Sequence, residues 1–340
     1  MAKRSFLVSS AMIVSIFSIL AISCKSKKPV IQQEQEITLV MAEVNPDGTI
    51  SAEMDKAFKQ KVEELSGGKI KIDLQMGGTL GDEESVMALL KKPNSSIHLE
   101  RISAFTLTAH GCQKSSLLTI PFTFSGKEHF WNFAASPFAT EILDEPYEKG
   151  VGVKGLFYGE EGFRHFFSTK PLSGTEDFAG LKLRITPDAI MKGVADGLKA
   201  DPLVVGFGDL YGALQTGIVD AAEQPIANYL GNKFHMVAPY MILDGHTMGV
   251  TEVVITSECW DSLTEKQRAI LKEAGTYAGE ICRKISQEAE DKARAQLVEE
   301  GAKFIEVNDI APWQNACEKI ITQSAAVAPE LYKEILNLAH

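Results

Sequence analysis

Two segments near the start of the folded region constrain this chain more than anything else in it. EITLVMAE (36–43) is rich in β-formers, and KIKIDLQM (69–76) alternates Ile70, Ile72, Leu74 and Met76 at period two. Between them Met54, Ala57, Phe58, Val62 and Leu65 recur at helical spacing, and Gly67-Gly68 is placed to close that helix as a left-handed cap. Strand, helix and strand within about forty residues form a βαβ unit whose strands run parallel. The sheet is therefore at least partly parallel and the fold class α/β.

The same grammar continues along the chain. Asp82 is placed to start a helix carrying Val86, Leu89 and Leu90, and residues 97–102 read as a third strand. VGVKGLFY (151–158) and GFRHFFS (162–168) read as two strands separated by an acidic, glycine-flanked break. LKLRIT (181–186) is a short strand closed by Pro187, followed by a helix from Asp188 to Leu198. MILDGHTMGVTEVVIT (241–256) is a β-rich run that could pass between two lobes. Thr264 and Gln267 match a capping box and open helical character that continues to about Glu300. Unbroken, that helix is ~55 Å long, so either Gly275 and Gly279 interrupt it or it braces two lobes. AKFIEV (302–307) is one more strand.

The N-terminus differs from all of this. MAKRSFLVSSAMIVSIFSILAISC has Lys3 and Arg4, an apolar run from Phe6 to Ile22, then Ser23-Cys24, the layout of a secretory signal. Cys24 directly follows LAIS, similar to a bacterial lipobox, so residues 1–23 are expected to be removed and Cys24 lipidated, with 24–35 as a polar tether. The uncut alternative is a transmembrane anchor at the short limit for a bilayer crossing. Cys112, Cys259, Cys282 and Cys317 show no C-x-x-C or regular spacing and read as buried free thiols, although an oxidising compartment permits disulfides. The net charge of −11 loses only Lys3 and Arg4 on processing, and no basic, aromatic-interleaved patch exists. Nucleic acid is excluded as a partner on that ground.

Enzymatic constellations are missing from the sequence. PLVVGFGDLYGALQTGIVDAAEQP (202–225) mimics a dinucleotide loop, but after Gly206 and Gly208 the third glycine, Gly212, comes one residue late and Tyr211 holds its place. No G-x-S-x-G elbow and no H-E-x-x-H occurs, and the histidines are scattered. Ser66-x-x-Lys69 lies at a glycine-marked helix end rather than in a catalytic context. Glu160-Glu161 and Asp82-Glu83-Glu84 read as solvated turns and helix starts. No cofactor and no metal site is expected.

Within 202–225, Asp209 is placed to cap a helix, Ile218-Val219 reads as a two-residue strand, and Phe207 and Gln224 sit at loop edges. Open α/β sheets place ligands at such edges. Arg184 interrupts an apolar strand just before Pro187, and Arg164 lies among aromatics. Each is either a solvated basic residue or a guanidinium held ready to take a carboxylate bidentately.

Taken together, GLKLR (180–184), YGALQTGIVDAAEQP (211–225), SGGKIKIDLQMGGTLGDE (66–83) and LLTIPFTF (117–124) resemble the solute-binding proteins of TRAP transporters, the DctP type, over roughly residues 36–338. The resemblance implies a two-lobed periplasmic-binding-protein-like (type II) α/β fold with a long helix spanning both lobes. Lobe 1 would comprise 36–161 plus 249–292, and lobe 2 162–248 plus 293–340. It further implies a periplasmic, lipid-anchored binder, not an enzyme. It would capture a small organic acid and deliver it to the TRAP small and large membrane subunits, and some members also work with a tetratricopeptide-repeat partner. Arg184 falls on the carboxylate-binding arginine of the family and Arg164 on an earlier G-x-R arginine. Gln224 replaces the usual Asn before proline, Ala221 the usual Gly after Asp, and Phe207 is the aromatic before the LYGALQTG helix. Asn45 of the AEVN loop, with Glu100 and Arg101 at a strand end, would face the cleft from lobe 1. Phe163, Phe166, Phe167, Phe207 and Tyr158 would either make the site apolar or belong to the core. A secreted hydrolase on the same fold and an adhesive surface lipoprotein are the competing classes.

Overall fold

A computed structural model describes residues 36–339; the signal segment, Cys24 and the tether lie outside them. The chain opens with β1 (Ile37–Ala42), α1 (Ile50–Leu65), β2 (Ile70–Gln75), α2 (Glu83–Leu90) and β3 (Leu99–Ser103). Next come α3 (Ala104–Ala109), α4 (Lys127–Ala134), α5 (Pro137–Glu148) and the long β4 (Val153–Ser168). A second group holds β5 (Lys182–Ile185), α6 (Ala189–Gly197), β6 (Asp201–Val204), α7 (Leu210–Gln215), β7 (Ala221–Pro225) and α8 (Ile226–Gly231). The long β8 (Tyr240–Thr256) leads to α9 (Ser257–Ser262), α10 (Glu265–Glu299), β9 (Lys303–Glu306), α11 (Ala311–Ala325) and α12 (Pro329–Asn337).

The strands join in the order β2-β1-β3-β8-β4-β7-β5-β6, with β9 against β8. β1, β2 and β3 are mutually parallel, as are β5, β6 and β7. β4 and β8 run antiparallel between these two wings. The start of β4 pairs with the end of β8 beside β3, and the end of β4 pairs with the start of β8 beside β7. Two long strands thus connect the wings.

The acidic break expected near residue 160 is a bulge inside β4 rather than a strand end. Register against β8 shifts between Glu160 and Phe163, where Gly162 takes φ +88°. An extra residue is absorbed there because the partner strand continues past it, and glycine tolerates the backbone that results. Ile218-Val219 is not a strand. The strand that follows is β7, whose polar Glu223 and Gln224 hid it from a hydrophobicity reading.

α10 runs 35 residues unbroken, ~52 Å long, behind the capping box of Thr264 and Gln267. It packs on α1 and β4 and also on α8, so it spans both wings. Gly275 and Gly279 do not interrupt it. They permit close approach, since a Cβ at Gly275 would lie 2.5 Å from Phe157 Cδ1. The cap at Gly67 is left-handed as expected, with φ +59°. Asp209, by contrast, makes no side-chain cap for α7. All four described cysteines are free, three of them buried. No helix among the described residues is long and apolar enough to cross a membrane.

Candidate ligand-binding site

A cavity of about 270 Å³ opens where the C-terminal ends of the parallel strands of both wings meet. From the first wing it is lined by Val44 and Asn45 after β1, Asp82 and Glu83 at the start of α2, and Arg101 and Ser103 of β3. The bulge of β4 contributes Glu161 and Arg164. The second wing supplies Arg184 of β5, Pro187, the 204–207 loop after β6, Gln224 of β7 and Asn228 of α8. This is the position open α/β sheets reserve for ligands.

Three buried arginines reach this cavity, each in a different electrostatic state. Arg101 is 2% exposed and saturated with acids. Its Nε and Nη2 donate to Glu43 at 2.8 and 2.6 Å, and its Nη1 donates to Glu83 at 2.7 Å. Glu161 lies 3.9 Å away. Glu83 also accepts from Ser103 N at 3.1 Å and Thr106 Oγ1 at 2.8 Å. Behind this cluster Asp55 is fully buried, and burial together with neighbouring Glu43 pushes its carboxyl well above the usual range.

Arg164 holds Glu223 bidentately, through its Nε and, at 2.8 Å, its Nη2. On the far side of Glu223 stands His246, at 3.7 Å, which meets Asp244 Oδ2 at 2.6 Å and stacks on Phe166 with ring centroids 4.3 Å apart. Burial resists ionisation of Glu223, but Arg164 and His246 outweigh it and hold the carboxyl down at about 2. Burial likewise opposes charge on His246, yet Asp244 and Glu223 lift it to about 9. Arg164, Glu223, His246 and Asp244 thus form one buried chain of alternating cationic and acidic side chains.

Arg184 is 4% exposed and has no such partner. Its Nε donates to Val205 O at 2.9 Å, and among the described residues its two terminal nitrogens meet no acceptor. Burial draws its pKa down, offset only in part by Glu223. Beside it are two buried carboxamides. Gln224 makes no side-chain hydrogen bond within the described residues, and Asn228 Oδ1 is buried without a partner. Asn228 Oδ1, the Gln224 amide and the Arg184 terminal nitrogens are thus polar groups on one cavity that a polar guest can hydrogen-bond.

Of the residues singled out from sequence, Arg184, Arg164, Gln224, Phe207, Asn45 and Arg101 line the cavity. Glu100 does not. Alternation along β3 turns Arg101 and Ser103 to the cavity, while Glu100 shares the opposite face with Ile102, which packs with Val86 and Leu90 of α2. Phe166, Phe167 and Tyr158 belong to the core, Phe163 packs against it, and Phe207 alone of the five aromatics reaches the cavity. Glu160 and Glu161 are buried, not solvated, at 1% and 3% exposure. Sequence reasoning set Glu161 and Glu83 aside as solvated turns and helix starts and did not single out Asn228. For Glu161 a signal existed, since an acid pair inside an aromatic β-run is costly unless the strand crosses a polar site. No group of three or more His, Cys, Asp or Glu among the described residues could hold a metal ion.

Comparison with known proteins places this geometry. The family described as bacterial extracellular solute-binding protein, family 7 (DctP) matches residues 41–327. A C4-dicarboxylate-binding periplasmic protein DctP of Shewanella loihica is 27% identical, the alignment covering 85% of this chain and 84% of that protein. The sialic acid-binding periplasmic protein SiaP of Vibrio cholerae is 24% identical over 83% of this chain and 87% of its own length. A TRAP periplasmic solute-binding protein from Bradyrhizobium, solved with galacturonate, superposes with a TM-score of 0.84 at 25% identity, covering 88% of this chain and 100% of that one.

Proposed function

This chain belongs to the DctP family of bacterial extracellular solute-binding proteins, and we propose that it captures a small organic carboxylate in the cavity between its wings for a TRAP-type transporter. The observation that carries this reading is Arg184, a buried guanidinium whose two terminal nitrogens lack an acceptor while facing a cavity. A carboxylate satisfies it through paired hydrogen bonds, and Gln224 and Asn228 stand beside it to complete the clamp. The ligands named for the relatives, a C4-dicarboxylate, a sialic acid and a galacturonate, are all acids, which supports the class, but they differ too much to choose a member.

On this reading the lobes are 36–161 plus 249–292 and 162–248 plus 293–340, closing about the long-strand crossings near 158–163 and 246–256. A ligand bridging Arg184 and the first-wing polar groups shifts the open–closed balance by its differential affinity for the closed form. Cys24 carries a lipid that holds the protein at a bacterial membrane on the periplasmic side, and the small and large TRAP subunits receive the cargo. A tetratricopeptide-repeat protein is a candidate additional partner.

Three measurements test this. Mass spectrometry of material released on denaturing the purified protein is expected to find an organic acid. A library of acids is expected to include one that, at a hundred times its dissociation constant, stabilises the fold by about 2.7 kcal/mol. Release of a neutral or cationic molecule, with no acid stabilising the protein, overturns the reading. Replacing Cys24 with Ala is expected to abolish incorporation of labelled palmitate in cells.

A further inference from the structure

The cavity holds a second imbalance, opposite in sign to that of Arg184. Arg101 gives its Nε and Nη2 to Glu43 and its Nη1 to Glu83, which leaves Glu161 only a 3.9 Å approach to that guanidinium. Glu161 Oε1 accepts one neutral hydrogen bond, from Asn45 Nδ2 at 3.0 Å, and Oε2 has no partner among the described residues. Yet Glu161 is 3% exposed and lines the same cavity as Arg184. One guanidinium is thus shared by three carboxylates on the first-wing side, with Arg164 nearby but committed to Glu223, while Arg184 has no carboxylate bonded to it. Desolvated charges of this kind are costly until a counter-charge arrives.

We propose that Glu161 receives an ammonium group, so that the ligand is a zwitterion: a monocarboxylate whose far end carries a protonated amine. The inference rests on the reading that Arg184 binds the carboxylate. A dicarboxylate would bring a second anion against Glu161 and Glu83, where like charges repel. A hydroxyl could donate to Glu161 Oε2 but would leave its charge uncompensated. The lining includes the apolar Val44, Pro187, Val204, Val205 and Phe207, which offer contact to methylene groups.

The test is calorimetry on the unliganded protein with straight-chain acids of four to six carbons, each length offered as the ω-amino acid, ω-hydroxy acid, plain monocarboxylate and dicarboxylate. At the best-fitting length the ω-amino acid is expected to bind at least about tenfold more tightly than the ω-hydroxy acid, and the dicarboxylate about a hundredfold more weakly than the ω-amino acid. Glu161→Gln, which keeps the side-chain shape, is expected to erase the advantage of the amino over the hydroxy acid. Equal or tighter binding of the hydroxy acid or the dicarboxylate by the unaltered protein overturns the proposal, as does a preference that survives Glu161→Gln. Those comparisons on the unaltered protein stand even if the variant folds poorly. Failure of the underlying reading is distinguishable: then no acid in the panel binds, or Arg184→Ala binds them all as the parent does, and the zwitterion proposal falls with it.

Discussion

Arg101 and Arg184 sit beside one cavity with nearly the same burial, 2% and 4% exposed, yet they are built for different work. Arg101 is saturated by Glu43 and Glu83 and ties β3 to the chain after β1 and to the start of α2. Arg184 meets a single main-chain oxygen, and its two remaining nitrogens find no acceptor among the described residues. Buried acids divide in the same way. Glu223, gripped by Arg164, is held down at about 2, whereas Glu252, equally buried but without a cation, is pushed up to about 8 by burial despite a hydrogen bond from Ser115. Burial alone therefore does not identify a binding residue. A buried side chain that lacks an internal partner and lines a cavity is the stronger candidate.

Removing Arg101 is expected to break the comparison most severely. Arg101→Ala leaves buried carboxylates uncompensated and should destabilise the fold by about 3–5 kcal/mol, read from urea unfolding. Arg184→Ala should do the reverse. It should weaken acid binding by about 2–5 kcal/mol in calorimetry, while the unliganded protein's stability stays level or rises, because a desolvated charge has gone. A binding loss under about 1 kcal/mol would remove Arg184 from the clamp.

The acid pair predicts a pH dependence with two signs. Glu223 has a folded value below its ordinary 4.5, so its contribution is complete above that value and is lost as pH falls toward 2. Glu252 has a folded value above 4.5, so the folded state holds a proton the unfolded state has released, and stability falls as pH rises from 4.5 to about 8. Glu252→Gln should therefore raise stability at pH 8.5, leave it unchanged near pH 4, and flatten the slope between, as unfolding curves at each pH would reveal. The smallest effect belongs to Gln224→Asn, which shortens one arm of the site by a methylene. Affinity for the bound acid should change by under about 1 kcal/mol, with unfolding unaffected.

Much of the fold was legible because its signals are local. Period-two alternation in β2, helical spacing in α1, the capping box at Thr264 and the glycine cap at Gly67 all lie within a few residues. What escaped were elements whose polarity is explained only by distant partners. β7 reads as a turn because Glu223 and Gln224 are polar, yet Glu223 is answered by Arg164, 59 residues earlier. β4 reads as two strands because Glu160-Glu161 interrupts it, yet β8 pairs with it on both sides of the bulge.

The same division runs through the site. The sequence alone determined many of the strands and helices, β1, α1 and β2 among them, that the sheet is partly parallel, and that Arg184 lies in a short strand. Those outcomes follow from spacing and residue type, which act over short stretches of chain. Only the tertiary structure decided which charges are spent. Glu43 and Arg101 are 58 residues apart in the chain and 2.6 Å apart in the fold. Whether a buried charge is satisfied depends on what packing brings within hydrogen-bond reach, and that is set by the meeting of the wings rather than by any one segment.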